Sequence, residues 1–296
     1  MSGIGDRIAG APITWGVSEV PGWGHQMAAA RVLREAAGAG FRAIELGPPG
    51  FLPADAAALR RLLASYGLGL AAGFLAAVLH DPARLDGALR AASATSALLA
   101  NAGARVLVMA AETGHAGYET AADPSAGEWK LLARALERLR GAAAEHGVEL
   151  VVHPHHGTLI ASAVQTARLL EETDARLCID TGHLLLGGAD PVEVAGRAAA
   201  AGRVGHVHLK DVDAALAARV RRGEIRYRDA VERGLYRPLG AGDVDVDAVI
   251  GLLEASGYAG WYVLEQDAVV RSEPPEGEGP ILDAGRSLRR MMEGVA

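Results

Sequence analysis

The chain has little of several residue types that would place it in a specialised class. Its 296 residues include one cysteine, Cys178, so no disulfide can form within the chain. That usage is typical of the reducing cytoplasm, and Cys178, inside an apolar run, is expected to be a small core residue. The N-terminus lacks a charged region followed by an apolar one, and no apolar run reaches the ~20 residues that cross a bilayer. These absences predict a cytoplasmic protein without a membrane partner.

Aromatic residues and clustered basic residues are scarce as well. Aromatics make up only 4% of the chain although half of its residues are hydrophobic, so alanine, leucine and valine must supply most of the core. The formal net charge is −7 and no long basic run is present. Such a chain has little with which to neutralise phosphates, so we expect no nucleic-acid partner.

Short apolar segments alternate with longer amphipathic ones along the whole sequence. The predicted strands are Pro12–Trp15, Ala43–Leu46, Gly69–Phe74, Arg105–Met109, Val148–His153, Leu177–Asp180, Val204–Leu209 and Trp261–Glu265. The predicted helices are Gln26–Gly38, Ala54–Tyr66, Pro82–Asn101, Glu128–Glu145, Ala161–Glu172, Pro191–Ala200, Asp245–Ala255 and Ile281–Met292. Strict alternation implies a parallel sheet, and eight units in a chain of this length fit a closed (β/α)8 TIM barrel.

The competing architecture is an open doubly wound sheet. It lacks support because no glycine-rich phosphate-binding fingerprint follows an early strand, and Gly47–Gly50 does not match one. We therefore expect residues 1–296 to form a single α/β domain, a TIM barrel. Residues 212–244 form the longest irregular stretch and would be a long loop after strand seven, on the face where barrel active sites form.

Polar residues cluster where the predicted strands end, which is where barrels place their catalytic groups. They are Glu45, Glu112, His153, His155, His156, Asp180, His183, His206, His208, Lys210, Asp211, Glu265 and Asp267. Six of the ten histidines fall in three of these short segments. Alternate residues of a strand share a face, so His206 and His208 can point the same way, as can His153 and His155. Imidazoles beside carboxylates indicate a site for Mn, Co, Zn or Fe rather than an all-oxygen Mg or Ca cage.

Several motifs resemble those of one family. They are His153-Pro-His-His-Gly-Thr158, Asp180-Thr-Gly-His183, His206-Val-His-Leu-Lys-Asp211, Pro238-Leu-Gly-Ala-Gly-Asp243 and Gly260-Trp-Tyr-Val-Leu-Glu-Gln-Asp267. Together they resemble the xylose isomerase-like TIM-barrel superfamily of sugar isomerases and epimerases, nearly from end to end. The His-His-Gly-Thr and Glu-Gln-Asp pieces are most similar to the inosose (2-keto-myo-inositol) dehydratases.

The resemblance implies a single divalent ion with ligands after strands five to eight. It carries over to Asp180, His208 and Glu265, with Mn or Co as the first expectation and Zn or Fe as alternatives. The strand-five position departs from the family pattern, because the usual Glu is replaced by His153, or by His155. No organic cofactor site is indicated.

Four residues are the catalytic candidates. An acid and a base are both needed, and histidine suits either role near neutral pH, so His155 and His183 are candidates. Lys210 near the metal could have a lowered pKa and donate to a leaving hydroxyl, or could instead form a salt bridge with Asp211 or Glu45. Glu45 is either a catalytic group or a residue that orients a ligand.

Aromatic residues near the predicted strand ends could contribute to the walls of the site. Trp15, Trp23 and Phe74 could form an apolar wall for a sugar ring, although simple packing is the commoner meaning. Tyr227 and Tyr236, in the stretch after strand seven, could close over the mouth.

The expected function is dehydration of a cyclic keto-polyol such as 2-keto-myo-inositol, by abstraction of an α-proton and loss of the β-hydroxyl, which would place the enzyme in inositol catabolism. The alternatives are an isomerase or epimerase of keto sugars, a lyase on 3-keto glycosides, and a non-catalytic barrel that has lost its metal. The partner is thus a small cyclic polyol or sugar ketone, and the resemblance also allows a homo-oligomer. An endonuclease IV-like role, known in the wider superfamily, is disfavoured by the acidic chain.

Overall fold

Parallel strands surrounded by helices form the framework. The structure is a computed structural model that describes residues 3–115, 117–119 and 122–293. Its strands are β1 Ile8–Gly10, β2 Ala43–Ile44, β3 Gly69–Leu70, β4 Gly73–Ala77, β5 Val106–Ala111, β6 Glu149–Val152, β7 Arg176–Asp180, β8 Val204–Leu209, β9 Asp211–Val212, β10 Tyr236–Arg237 and β11 Tyr262–Leu264. Nine of them form one sheet in the order β3-β2-β1-β11-β8-β7-β6-β5-β4, and every pair in it is parallel.

The two outer strands of that order belong to one interrupted stretch of chain. β3 pairs with β2, β4 pairs with β5, and only Ala71 and Ala72 separate them. The sheet therefore has eight strand positions arranged around a barrel, with the third position split in two. This confirms the TIM-barrel fold predicted from the sequence.

Helices follow the strands and cover the outside of the sheet. They are α1 Ala29–Ala39, α2 Ala56–Ser65, α3 Pro82–Ala102, α4 Ala126–Ala144, α5 Ala163–Glu172, α6 Thr181–Leu186, α7 Pro191–Ala200, α8 Ala214–Arg221, α9 Tyr227–Glu232, α10 Val246–Ala255 and α11 Pro280–Glu293. Local chemistry fixes several ends: Asp81 and Asp190 accept hydrogen bonds from the first turns of α3 and α7, each ahead of a proline. Gly103 ends α3 in the left-handed conformation, with a φ of 101°.

The prediction for the first strand was wrong. β1 is Ile8–Gly10, whereas Pro12–Trp15 forms a 3-10 helix that Gly16 closes with a φ of 78°. Pro12 has no N–H to give to a ladder and its φ suits the first position of a helix. The sequence pattern did not predict β1, because this strand is only three residues long and includes a glycine.

The stretch at 212–244 is more ordered than the long irregular loop that the sequence suggested. It contains α8 and α9, and β10 pairs antiparallel with β9. Tyr227, Leu235 and Tyr236 from this stretch are buried. Their burial anchors the segment over the C-terminal ends of the strands.

Small aliphatic residues fill much of the interior, as the composition implies. Cys178 is fully buried in a cluster with Val108 and Val151, and burial raises its pKa to about 11. A buried neutral thiol of this kind fits the core role expected for it. Within the described ranges, no helix is both long and apolar enough to span a membrane.

Candidate functional site

A pocket opens where the barrel strands end. Its void, open solvent at the mouth included, is about 670 Å³. Its lining includes the acidic residues Glu19, Glu45, Glu265 and Asp267, the imidazoles of His153, His155 and His208, the side chain of Lys210, and the aromatic rings of Trp23, Phe74, Tyr118 and Tyr227. Asp180 and His183 contact this lining from below, through Lys210. The fold therefore brings all eight sequence-predicted site residues into one cluster.

Three side chains from neighbouring strands form the centre of the cluster. Asp180 ends β7, His208 lies in β8 and Glu265 follows β11, and each offers a ligand atom within 4.8 Å of the other two. The Nδ1 atom of His208 lies 2.8 Å from Oε2 of Glu265 and 3.5 Å from Oδ2 of Asp180. His153, after β6, places its Nε2 atom 3.1 Å from the same Asp180 oxygen.

This arrangement fits a divalent cation. His208 Nδ1 and Glu265 Oε2 are buried and lack hydrogen-bond partners, although they lie close together. The Nε2 atom of His208 is bonded to Glu45 Oε1 at 3.1 Å, which leaves Nδ1 to face the carboxylates. A ring nitrogen and a carboxylate oxygen that converge without a hydrogen bond, beside the carboxylate of Asp180, suit a cation, and imidazole with carboxylate fits Mn, Co, Zn or Fe.

The electrostatics of His208 support the same conclusion. Burial alone would lower the pKa of His208, but the neighbouring Cys178, Glu265 and Glu45 together raise that pKa well above its ordinary value. The cluster therefore strongly favours positive charge at this position.

Glu45 lies at the end of β2, next to two imidazoles. Its Oε1 atom accepts from His206 Nε2 at 2.9 Å as well as from His208. Burial alone would raise the pKa of Glu45, but the two histidines lower it by more. The pKa therefore lies below its ordinary value and the carboxylate stays ionised. This geometry matches the orienting alternative for Glu45, since its carboxylate fixes the ring of a candidate ligand.

Lys210 differs from its prediction in both charge and partners. Its Nζ atom contacts Asp180, Glu265 and Asp267 at 3.3, 3.2 and 2.9 Å, and neither Asp211 nor Glu45. Burial would lower the pKa of Lys210, but these three carboxylates raise it well above its ordinary value. The three carboxylates therefore favour the charged form of Lys210 and do not lower its pKa.

Asp211 instead has a structural role. Its carboxylate accepts backbone N–H bonds from Val212, Gly240, Gly242 and Val244 at 2.8–3.0 Å. These bonds fix the end of the 212–244 stretch against β9.

His155 and His183 are neutral imidazoles whose rings lie 3.8 Å apart. Burial, and then the other positive groups around them, lower the pKa of both well below the ordinary value. Nδ1 of His155 donates to the carbonyl of His156 at 2.7 Å, so its Nε2 keeps a lone pair. Nε2 of His183 accepts from Lys210 at 3.1 Å, and the backbone N–H of His183 donates to the carboxylate of Asp180, which caps α6.

The aromatic predictions have a mixed outcome. Trp23 and Phe74 line the pocket. Trp15 does not contribute to that wall: it is buried in the core and its indole donates to Glu35. Glu112, another residue at a predicted strand end, is half-buried and is not part of the pocket lining.

Sequence reasoning missed two residues at the mouth. Tyr118 stacks on His155 with ring centroids 4.3 Å apart, and its hydroxyl donates to the carboxylate of Glu19. Both residues lie in loops outside the strand ends, where no periodic pattern marks which side chains face the pocket.

One known family matches the sequence over most of its length. Residues 33–291 match the family described as the xylose isomerase-like TIM barrel. The chain belongs to this family. The geometry above brings together Asp180, His208 and Glu265, the three residues to which the resemblance carried the ligand positions.

Two relatives match most of the chain at about one third sequence identity. The inosose dehydratase of Geobacillus kaustophilus is 33% identical over 272 residues, covering 88% of this chain and 87% of its own. The rhizopine catabolism protein MocC of Rhizobium meliloti is 34% identical over 270 residues, covering 88% and 81%. The dehydratases among these relatives support a dehydratase function of the lyase class for this xylose isomerase-like barrel.

Solved structures share the fold at low identity. An L-ribulose 3-epimerase has a TM-score of 0.69 at 22% identity, covering 98% of this chain and 94% of its own. The IOLI protein with a binding zinc atom has a TM-score of 0.69 at 14% identity, covering 98% of both chains. These likenesses establish the barrel architecture.

Proposed function

We propose that the chain is a metal-dependent carbon–oxygen lyase that dehydrates a cyclic keto-polyol such as 2-keto-myo-inositol. One observation carries the proposal: a single pocket holds a cation donor set, an imidazole with a free lone pair and a buried ammonium. Dehydration next to a ketone needs a proton removed from carbon and a proton delivered to the departing hydroxyl. The neutral His155 and the charged Lys210 match those two tasks.

Asp180, His208 and Glu265 would hold the cation, with His153 as the fourth ligand. When bound, a divalent cation supplies Lewis acidity that makes the proton next to a ketone more acidic. Mn and Co are the first candidates, with Zn and Fe as alternatives. Zinc is included in the test because a barrel of the same fold is described with a zinc atom.

The proton transfers follow from the tautomers. His155 Nε2 takes the proton from the carbon beside the ketone, because its Nδ1 proton is engaged with the His156 carbonyl. Lys210 gives a proton to the β-hydroxyl, whose carbon–oxygen bond breaks to release water and leave a carbon–carbon double bond. One proton leaves the substrate and one joins the departing oxygen, so the substrate loses only water. His183, which accepts from Lys210, keeps the ammonium in place.

The charge and shape of the pocket favour an uncharged ring. Its described lining contains four acidic residues, Glu19, Glu45, Glu265 and Asp267, and no arginine, so it offers no guanidinium to pair with a phosphate or carboxylate on the substrate. The faces of Trp23 and Phe74 offer apolar surface for the C–H side of a polyol ring. A neutral keto-polyol fits both features, and inosose dehydratases are among the relatives.

The test combines metal analysis with product detection. Purified protein is analysed for bound metals by mass spectrometry, then 2-keto-myo-inositol is added and absorption of an enone-type product is followed. We expect bound metal and metal-dependent product in the native chain, and loss of both in Asp180→Ala. Asp190→Ala is the matched control, because Asp190 also caps a helix but lies outside the pocket.

The other outcomes discriminate among the alternatives. Bound metal without this product, but with interconversion of keto sugars, would replace the dehydratase by an isomerase or epimerase. Cleavage of a 3-keto glycoside instead would indicate a glycoside lyase. Absence of bound metal after reconstitution with all four candidates would contradict the catalytic proposal and favour a non-catalytic barrel.

A further inference from the structure

We infer that three chain segments bonded to one another around the mouth of the pocket restrict its substrate to a single ring, and that Tyr118 and Glu119 determine this specificity. The inference rests on the proposed function and narrows it, because the keto-polyol would carry no glycosyl substituent. The six residues that join the segments are called the mouth belt. They are Glu19 and Trp23 after β1, Tyr118 and Glu119 after β5, and Tyr227 and Arg228 of α9.

The segment after β5 is bonded to both of the others. The hydroxyl of Tyr118 donates to the carboxylate of Glu19. The carboxylate of Glu119 accepts from the backbone N–H groups of Tyr227 and Arg228, at 2.8 and 2.9 Å. Within the described ranges, the N-cap residue of α9 supplies no side-chain bond to this first turn. Glu119 therefore caps α9 from a distant part of the chain.

A third joint closes the belt. The guanidinium of Arg228 donates to the backbone carbonyl of Trp23 at 3.0 Å. The indole N–H of Trp23 donates to the carbonyl of Ala268 at 2.9 Å, which ties this segment to the chain after β11. The three segments follow β1, β5 and β8, which are the first, fourth and seventh of the eight strand positions. The joints therefore connect widely spaced sides of the barrel and encircle its mouth.

Close packing against the loop after β6 fixes where Tyr118 lies. Gly157 has a φ of 73°, and a Cβ at this position would lie 2.3 Å from the backbone carbonyl oxygen of Tyr118. Glycine is the residue that allows both this conformation and this contact. The ring of Tyr118 lies over that of His155, with centroids 4.3 Å apart. The glycine of the His-His-Gly-Thr motif thus lets the tyrosine cover part of the pocket floor.

The belt lies over groups that are nearly closed to solvent. Four residues that line the pocket are only 2–8% exposed: His153, His155, His208 and Lys210. A second ring on the substrate would have to extend through the belt, breaking one of its joints or displacing the ring of Tyr118. A hydrogen bond to a carboxylate corresponds to about tenfold or more in an equilibrium constant. The belt therefore disfavours a glycosyl substituent by steric exclusion.

Binding of two polyols that lack the ketone tests the inference without turnover. myo-Inositol is a single ring, and a glycosyl-myo-inositol carries a second ring. Dissociation constants are measured by isothermal titration calorimetry on the metal-loaded chain. We expect the native chain to bind myo-inositol at least about tenfold more tightly than the glycosylated form.

Two variants should relax this discrimination. Tyr118→Ala should bind the glycosyl-myo-inositol about tenfold more tightly than the native chain does, because the obstructing ring and its bond to Glu19 are both lost. Glu119→Gln should change the same Kd about threefold in the same direction. Its amide has one acceptor oxygen, whereas the carboxylate uses two.

The matched controls lie in and beside α2, outside the pocket. Tyr66→Ala removes a half-buried tyrosine at the end of this helix, and Asp55→Asn alters the carboxylate that caps its start. Both should keep the native ratio of the two dissociation constants. Unchanged binding of the glycosyl-myo-inositol in Tyr118→Ala overturns the inference, and if that variant does not fold, the same result in Glu119→Gln does so. A native chain that binds both polyols equally, or neither, also overturns it.

Dehydration of 2-keto-myo-inositol is followed on the same samples, so that the two proposals can fail separately. A native chain that forms product but does not discriminate between the polyols retains the proposed function and refutes the inference. A native chain that binds only the single-ring polyol and forms no product contradicts the proposed function, while the restriction on ring number stands.

Discussion

Glu45 provides a sharp test of how the cluster binds metal. Its Oε1 atom is 2.9 Å from His206 Nε2 and 3.1 Å from His208 Nε2, and it directs Nδ1 of His208 toward Asp180 and Glu265. Glu45→Gln keeps the size of the side chain but replaces a charged acceptor by an amide. Losing such a partner of a ligating histidine typically weakens metal binding about 10–100-fold, which is about 1.4–2.8 kcal/mol. The figure agrees with a hydrogen bond to a charged group, worth about 1.5–3 kcal/mol.

The measurement is competition for metal against a chromophoric chelator, using metal-free protein and Mn²⁺ or Zn²⁺. Glu35→Gln is the control, because Glu35 accepts from Trp15 and Arg31 in a mostly buried setting outside the pocket. We expect its metal Kd to equal that of the native chain even where its Tm falls. A Kd for Glu45→Gln within about threefold of native, less than the weakest loss expected, would refute the idea that Glu45 orients His208.

Two further predictions concern stability and are measured by thermal unfolding. Asp211→Asn should lower the free energy of unfolding by about 3 kcal/mol or more, because its carboxylate holds four backbone N–H groups and an amide cannot accept all four bonds; a Tm lowered by less than about 2 °C would contradict this. Gly182→Ala should cost about 1–3 kcal/mol, because its Cβ would lie 2.6 Å from Cβ of Lys210. Gly141→Ala, in an open part of α4, should stabilise by up to about 1 kcal/mol, so equal signs for the two variants would refute the packing argument.

Some of the site could be read directly from the sequence. Asp180, His208 and Glu265 stand at or near the C-terminal ends of apolar segments, and parallel strands in a barrel place those ends on one face. That rule requires only the alternation of elements and the family motifs. It predicts that residues from β7, from β8 and from the chain after β11 lie close together.

Other features were beyond such reasoning because they depend on closure of the barrel. The sequence offered Asp211, the neighbour of Lys210, as its partner, but adjacent residues of an extended chain point to opposite sides. In the structure, Asp211 accepts hydrogen bonds from the backbone of the segment Gly240–Val244. Lys210 contacts Asp267, which is 57 positions away in the chain. The wrong first strand has a local cause, since Pro12–Trp15 is apolar enough for a strand but begins with a residue that cannot donate to a ladder.

The sequence by itself determined the alternation of strands and helices, the face on which polar groups collect and the chemical types available there. Apolar periodicity and residue identity are local properties, so they can be determined from the sequence without a structure. Only the tertiary structure decided which carboxylates surround Lys210 and that Glu45 bonds to the far side of the His208 ring. These outcomes depend on burial and on separations of about 3 Å between residues far apart in the chain, and Coulomb and hydrogen-bond energies change steeply over that range.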